Sequence, residues 1–145
     1  MKKIKLYLCL LFAAVLASCS DDSTERTIAA QPPITGKWYY SQQGQSIAGE
    51  DFLVNYTLHT AGCSKDNIVL GTDNSYRINE YSEENCQEIS NTSTYSVNNN
   101  FITFGTGSSA NTYEIESVTS TTLRLRQAEA VNGTTEYWVE TFTRN

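Results

Sequence analysis

Asn111-Thr112-Tyr113-Glu114-Ile115-Glu116-Ser117 and Thr122-Leu123-Arg124-Leu125-Arg126-Gln127, with four residues between them, decide the fold class of this chain. In both segments apolar and charged side chains alternate residue by residue, which is the period of a strand and not of a helix. If Ile115 lies opposite Leu125, Glu114 faces Arg126 and Glu116 faces Arg124. One antiparallel register therefore pairs apolar with apolar and acid with base. Each exposed charge pair adds ~0.2–1 kcal/mol, enough to bias the register. Apart from the lysines at positions 2 to 5, Arg124 and Arg126 are the one close basic pair, and they read as half of a cross-strand ladder rather than as an anion clamp.

The same alternation recurs on both sides of this hairpin. Residues 36–42, 67–70, 76–80, 93–98, 101–105 and 136–144 are rich in Tyr, Thr, Val and Ile, as a pleated surface prefers. Thr72-Asp73-Asn74-Ser75, Asn98-Asn99-Asn100 and Thr119-Ser120-Thr121 supply tight connections, and Asn132-Gly133 is the strongest hairpin signal. Residues 46–62 stay open: Asp51 to His59 alternates in part and reads as a further strand or an irregular excursion. Eight antiparallel strands leave two edges to manage. Closure into an up-and-down β-barrel removes both, and a two-sheet sandwich is the competing solution. Periodicity alone does not choose between them.

At the N-terminus, Lys2, Lys3 and Lys5 precede an apolar run from Leu6 to Val15, with small residues at Ala17 and Ser18. This is the order of a secretory signal. The stretch from 6 to 18 is 13 residues long, whereas crossing ~30 Å of hydrocarbon takes about 20. Leu16-Ala17-Ser18-Cys19 resembles the lipobox of bacterial lipoproteins. The resemblance implies cleavage before Cys19, diacylglycerol on its sulfur and an acylated new N-terminus. Each buried CH2 of such chains contributes ~0.8 kcal/mol to membrane anchoring. Ser20, where an Asp would resemble an inner-membrane retention signal, points to the outer membrane of a Gram-negative bacterium. Asp21-Asp22 resembles an acidic surface-export tag, or is simply a solvated linker. The expected organisation is a signal peptide over 1–18, a lipidated N-terminus and tether over 19–33 ending in Pro32-Pro33, and a β-domain over 34–145.

Removing the signal leaves 127 of the 145 residues, long enough for one domain with a real core. Three lysines leave with it, so ten basic residues become seven against sixteen acidic ones, a net charge of −9. Such a surface argues against nucleic acid, which needs clustered Lys and Arg. Cys9 is lost with the signal and Cys19 is committed to lipid, so Cys63 and Cys86 remain as one extracytoplasmic pair. A disulfide is the default there; a metal site of His59, Cys63 and Cys86 is the alternative, without a recognised zinc spacing.

Gly36-Lys37-Trp38 resembles the Gly-X-Trp signature of lipocalins, whose tryptophan packs across one end of the barrel under an arginine of the last strand. Arg144 is placed to supply that arginine, a structural cation–π closure. Gly36-Lys37-Trp38, Cys63-Ser64-Lys65-Asp66-Asn67, Cys86 and Ser120-Thr121-Thr122-Leu123 together resemble the small lipocalin-like domains of Gram-negative lipoproteins. The resemblance spans residues 34–144, implies an eight-stranded calycin-type barrel and supports a Cys63–Cys86 bridge. Two departures bear on the interior: the Thr-Asp-Tyr motif of larger lipocalins is missing, and the domain is short for a roomy cavity.

The chemistry-bearing residues offer little for catalysis. His59, the single histidine, has no triad partner or metal spacing beside it, and reads as a loop or strand-end residue. Glu80, Glu83, Glu84 and Glu88 surround Cys86 in a polar stretch that reads as a solvated loop rather than as a glycosidase pair. No catalytic residue, metal or cofactor is assigned. Binding is the stronger reading. Alternation points Trp38, Tyr40, Tyr76, Tyr95, Phe104, Tyr113, Leu123 and Leu125 inward, with Ile68, Leu70, Ile78, Val97, Ile102 and Ile115. These would line a pocket for a small apolar or amphipathic ligand. So many large inward residues favour a small cavity or none, since an eight-stranded barrel can fill itself. In the last strand, a two-residue Asn132-Gly133 turn places Trp138 and Phe142 beside Leu123 and Leu125, while a three-residue loop selects Tyr137 and Val139. The competing function is a non-catalytic surface module that contacts a protein or glycan through its loops.

Overall fold

The computed structural model describes residues 33–131 and 134–144. The expected signal peptide, the lipidated Cys19, most of the tether and the Asn132-Gly133 turn residues lie outside the described residues. Nine antiparallel strands follow one another: β1 (Gly36–Ile47), β2 (Glu50–Asn55), β3 (Asn67–Leu70), β4 (Ser75–Tyr81), β5 (Glu88–Asn98), β6 (Phe101–Phe104), β7 (Asn111–Val118), β8 (Thr122–Val131) and β9 (Thr134–Thr143). A short 3-10 turn at Gly107–Ser109 joins β6 to β7.

β1 pairs with β3 over Gly36 to Tyr39 and with β9 over Tyr39 to Ser46. From β3 to β9 each strand pairs with its successor, so eight strands close into a ring and β2 stands outside it. The ring strands are the eight read from alternation, and closure settles the choice between barrel and sandwich. β2 fills part of the segment left open. Its turn is Ala48-Gly49, both at positive φ (52° and 85°), between the paired residues Ile47 and Glu50. Such a turn matches the strand twist.

β2 does more than extend an edge. Asp51 reaches across to Arg124 of β8 at 2.7 Å, so the β1–β2 hairpin bends over the outer face of the ring. Gly44 permits the approach: a Cβ there would collide with the Phe52 carbonyl. Val139 faces outward opposite Gly44 and Arg126 yet is fully buried, which the bent hairpin accounts for.

The β7–β8 register pairs Glu114 with Arg126 and Ile115 with Leu125, as expected. One correction follows: a bulge between Ile115 and Ser117 places Ser117, not Glu116, opposite Arg124. The extra residue turns Glu116 toward the same arginine, so the Arg124–Glu116 ion pair forms despite the shift. Arg126 pairs with Glu114 at 2.8 Å and lies over the Tyr137 ring, 4.4 Å from its centroid.

Chain reversals place the β3–β4, β5–β6 and β7–β8 turns at one end of the barrel with Trp38 and Arg144. The β4–β5, β6–β7 and β8–β9 connections and the β1–β2 hairpin are at the other. Asn74 and Asn99 take left-handed φ in two of the near-end turns (63° and 54°), a conformation asparagine tolerates. In the third, the Thr119 hydroxyl accepts from the amides of Thr121 and Thr122. Two further readings change. β5 begins at Glu88 rather than at 93, so Glu80 and Glu88 lie in strands and only Glu83 and Glu84 sit in the connection. Val97, expected inside, is 46% exposed: its β6 partner Ile102 is buried, but β4 pairs with β5 only as far as Thr94 and leaves Val97 without a neighbour on that side.

Candidate ligand cavity

Trp38 closes the near end. Its ring is fully buried, its Nε1–H donates to the Ile34 carbonyl at 2.6 Å, and the Arg144 guanidinium lies 3.7 Å from its centroid. Arg144 also donates to the carbonyls of Pro33 and Thr35, each at 2.8 Å. The closure therefore holds the chain entering β1 as well as the indole. Gly36, at φ 123°, sits against the guanidinium, where a side chain would be strained. Leu70, Tyr95, Ile102, Leu123 and Leu125 pack with Trp38 into a filled layer.

Beyond that layer the barrel is not full. A cavity of about 320 Å3 is lined by Tyr40, Ile68, Tyr76, Ile78, Phe104, Tyr113 and Phe142, with Ser93, Gly105, Ser109, Asn111 and Glu140 as the polar part. Of the eight residues expected to line a pocket, Tyr40, Tyr76, Phe104 and Tyr113 do so. Trp38, Tyr95, Leu123 and Leu125 belong to the filled layer, and the Tyr95 hydroxyl is tied to the Gly71 carbonyl at 2.8 Å. The aromatic walls contact one another: Tyr76 lies 4.4 Å from Phe104, and Tyr40 4.8 Å from Phe142, between centroids.

Glu140 is the residue the sequence reading missed. Val131 pairs with Thr134, so the β8–β9 connection has the two-residue length, and Phe142 falls opposite Leu123. The same register puts Glu140 opposite Leu125 and, on the other side, opposite Gln43. Trp138, Glu140 and Phe142 share the inward face. The signal was available: the turn length that selects Trp138 and Phe142 carries Glu140 inside between them. Among the described residues its one hydrogen bond is a long one from Trp138 Nε1, 3.4 Å, and no Lys or Arg pairs with it.

Burial shapes the titration of this site. Removal from water raises the Glu140 carboxyl above its usual value of 4.5, opposed only by the Trp138 contact. Burial likewise raises the hydroxyls of Tyr40, Tyr76 and Tyr113, the last to about 12, and the Glu140 charge adds to each shift. The tyrosines thus remain neutral donors at any physiological pH. Because the folded Glu140 holds its proton above the unfolded value, its ionisation destabilises the fold as pH rises from 4.5 through the raised pKa. Glu140→Gln is therefore expected to melt higher than wild type at neutral pH and to converge with it toward pH 4. Thermal unfolding by circular dichroism across that range checks this; a wild type equally stable at neutral pH contradicts it.

The rim is built by the β2–β3 connection. Tyr56 stacks on Tyr40 at 4.7 Å and His59 packs against Tyr56 at 4.7 Å. His59 accepts at Nδ1 from the Asp66 amide and donates from Nε2 to the Tyr40 carbonyl, both at 3.0 Å. Both ring nitrogens are occupied in holding this segment. Asp66, 3% exposed, accepts from the Tyr81 amide at 3.2 Å. Asn67 and Asn79 are buried beside it and bond to each other at 2.9 Å. Cys63 and Cys86 form a disulfide that fastens the β2–β3 connection to the β4–β5 connection. The bond takes both sulfurs, so His59, Cys63 and Cys86 do not make a ligand set.

Residues 21–125 match the family of lipocalin-like domains. The chain belongs to that family. The fold agrees: the crystal structure of a lipocalin-like protein from Bacteroides uniformis superposes with a TM-score of 0.51 at 14% identity, over 77% of this chain and 97% of that one. A dog lipocalin allergen gives a TM-score of 0.43 at 14% identity over 79% and 75% of the two chains. Bovine odorant binding protein in complex with undecanal gives 0.42 at 12% identity over 80% and 76%. No curated protein matches this lipocalin-like chain in sequence.

Proposed function

We propose that this lipocalin-like protein is a lipid-anchored cell-envelope binding protein that holds a small apolar or amphipathic molecule in its barrel. The observation that carries the reading is the cavity: about 320 Å3, with aromatic walls and a few polar groups. That volume is at the lower end of the ~300–1,000 Å3 of small-molecule sites, which fits a ligand of modest size. Binding rather than catalysis is supported by the engagement of both His59 nitrogens in the rim and by a cavity lining that holds one carboxylate, Glu140, among the described residues. Extraction of the protein under native conditions followed by mass spectrometry is expected to recover a bound small molecule. Ser93→Trp, which fills the cavity from β5, is expected to lose it. Recovery of the same molecule from both proteins would defeat the reading.

The anchor rests on Leu16-Ala17-Ser18-Cys19, and the outer-membrane placement on Ser20, with Asp21-Asp22 favouring surface display. Cys19→Ala is expected to leave the membrane fraction; if it stays there, the lipid assignment is wrong. A second reading, a module that contacts a protein or glycan, draws on Phe52, Val54 and Leu58, which are 59%, 63% and 67% exposed on β2 and the segment after it. Loss of partner binding on Phe52→Ser with the cavity ligand retained would favour it.

A further inference from the structure

We propose that the barrel's ligand is a small organic cation, an amine on an apolar or aromatic body, with its ammonium group on the Glu140 carboxylate and its body against the rings of Tyr40, Tyr76, Phe104 and Tyr113. The inference deepens the binding reading above and rests on it. Four observations carry it.

The first is that Glu140 lines the cavity with no Lys or Arg among the described residues beside it. The Lys and Arg side chains among the described residues are spent elsewhere. Lys37, Lys65 and Arg77 are exposed on the outer surface, Arg124 and Arg126 serve the outer charge ladder, and Arg144 covers Trp38. A carboxylate held away from water without a partner is costly, and a bound cation removes that cost. The second is the wall chemistry. Ring faces attract cations, most strongly where water is excluded, and aromatic cages are a recurrent way to hold substituted ammonium groups. The rings around Glu140 are three tyrosines and two phenylalanines, and among the described residues the carboxylate's hydrogen bond comes from Trp138 and not from a tyrosine hydroxyl.

The third is the field at the mouth. Glu80 continues the inward face of β4 beyond Tyr76 and Ile78, and the whole chain carries a net charge of −6. Such a potential draws cations in and turns anions away. The fourth is size. About 320 Å3 accommodates one ring and a short side chain and no long acyl chain. A fatty acid would also bring its carboxylate toward Glu140.

Three molecules of equal size and different charge separate the possibilities: 2-phenylethylamine, 2-phenylethanol and phenylacetate. Titrated by calorimetry into the intact protein near neutral pH, the amine is expected to bind at least about tenfold more tightly than the alcohol, as one charge-assisted hydrogen bond supplies. Phenylacetate is expected to be weakest. In Glu140→Gln, checked for folding by circular dichroism, the ratio of amine to alcohol affinity is expected to fall to about one. Trp138, whose indole touches Glu140, gives an independent signal through its fluorescence. An alcohol bound as tightly as the amine, or a preference that survives Glu140→Gln, overturns the cation assignment and leaves the small-ligand reading standing. If none of the three binds, both are overturned.

Discussion

Trp38→Ala is expected to cost about 3–5 kcal/mol of stability, the range for deleting a large buried aromatic ring. The loss has three physical parts. The ring is fully buried, so its removal leaves a void in the filled layer shared with Leu70, Ile102, Leu123 and Leu125. Its Nε1–H satisfies the Ile34 carbonyl at 2.6 Å, which would go without its partner. The guanidinium of Arg144, 3.7 Å above the ring, would face the void instead of the indole. Since single domains are stable by only about 5–15 kcal/mol, the variant should be near its unfolding threshold at ambient temperature. Urea unfolding measures the change. Trp38→Phe should lose much less, because it keeps most of the packing and gives up the hydrogen bond, ~0.5–1.5 kcal/mol net. A Trp38→Ala cost below about 1 kcal/mol would mean that the near end is not a closure at all.

Breaking the Cys63–Cys86 bond should have the second largest effect. The bond closes a sequence separation of 23 residues, worth about 3 kcal/mol on the loop-entropy estimate. Its consequence is local as well as global. The bond ties the segment holding Tyr56 and His59, which packs on Tyr40 at the cavity rim, to the β4–β5 connection. The Cys63→Ser/Cys86→Ser double variant is therefore expected to lower the urea midpoint. It should also raise hydrogen exchange at the amides of Asp66 and Tyr81, which bond to His59 and Asp66 across this rim. Exchange unchanged at those amides would show that the rim holds itself through the histidine and aspartate alone.

How much of this was legible depended on the distance over which each feature is decided. The β7–β8 hairpin could be read to its register because two adjacent strands carry complementary patterns and a short turn joins them. Even there the bulge at Glu116 escaped, since one extra residue leaves the flanking pairs intact. β2 stayed open because its turn, Ala48-Gly49, lacks the asparagine or aspartate that usually marks two positive φ values. Tyr40, Tyr76, Phe104 and Tyr113 were legible as inward-facing. Whether an inward residue meets a void or a neighbour depends on residues from every other strand. His59 read as a loop residue, and only the fold reveals its bonds to Tyr40 and Asp66, 19 and 7 positions away.

Alternation is a property of the backbone pleat, so the sequence by itself determined that the chain makes antiparallel strands and where the eight of the ring lie, while the inward face of β9 waited on the length of its turn. Closure, by contrast, needs the β1–β9 pairing of residues about a hundred positions apart, and no local pattern encodes that. Only the tertiary structure decided that β2 bends over the outer face, that the near layer fills around Trp38, and that space is left around Glu140. Volume and burial are sums over all the strands at once, and for that reason the space beside Glu140 becomes visible only in the closed barrel.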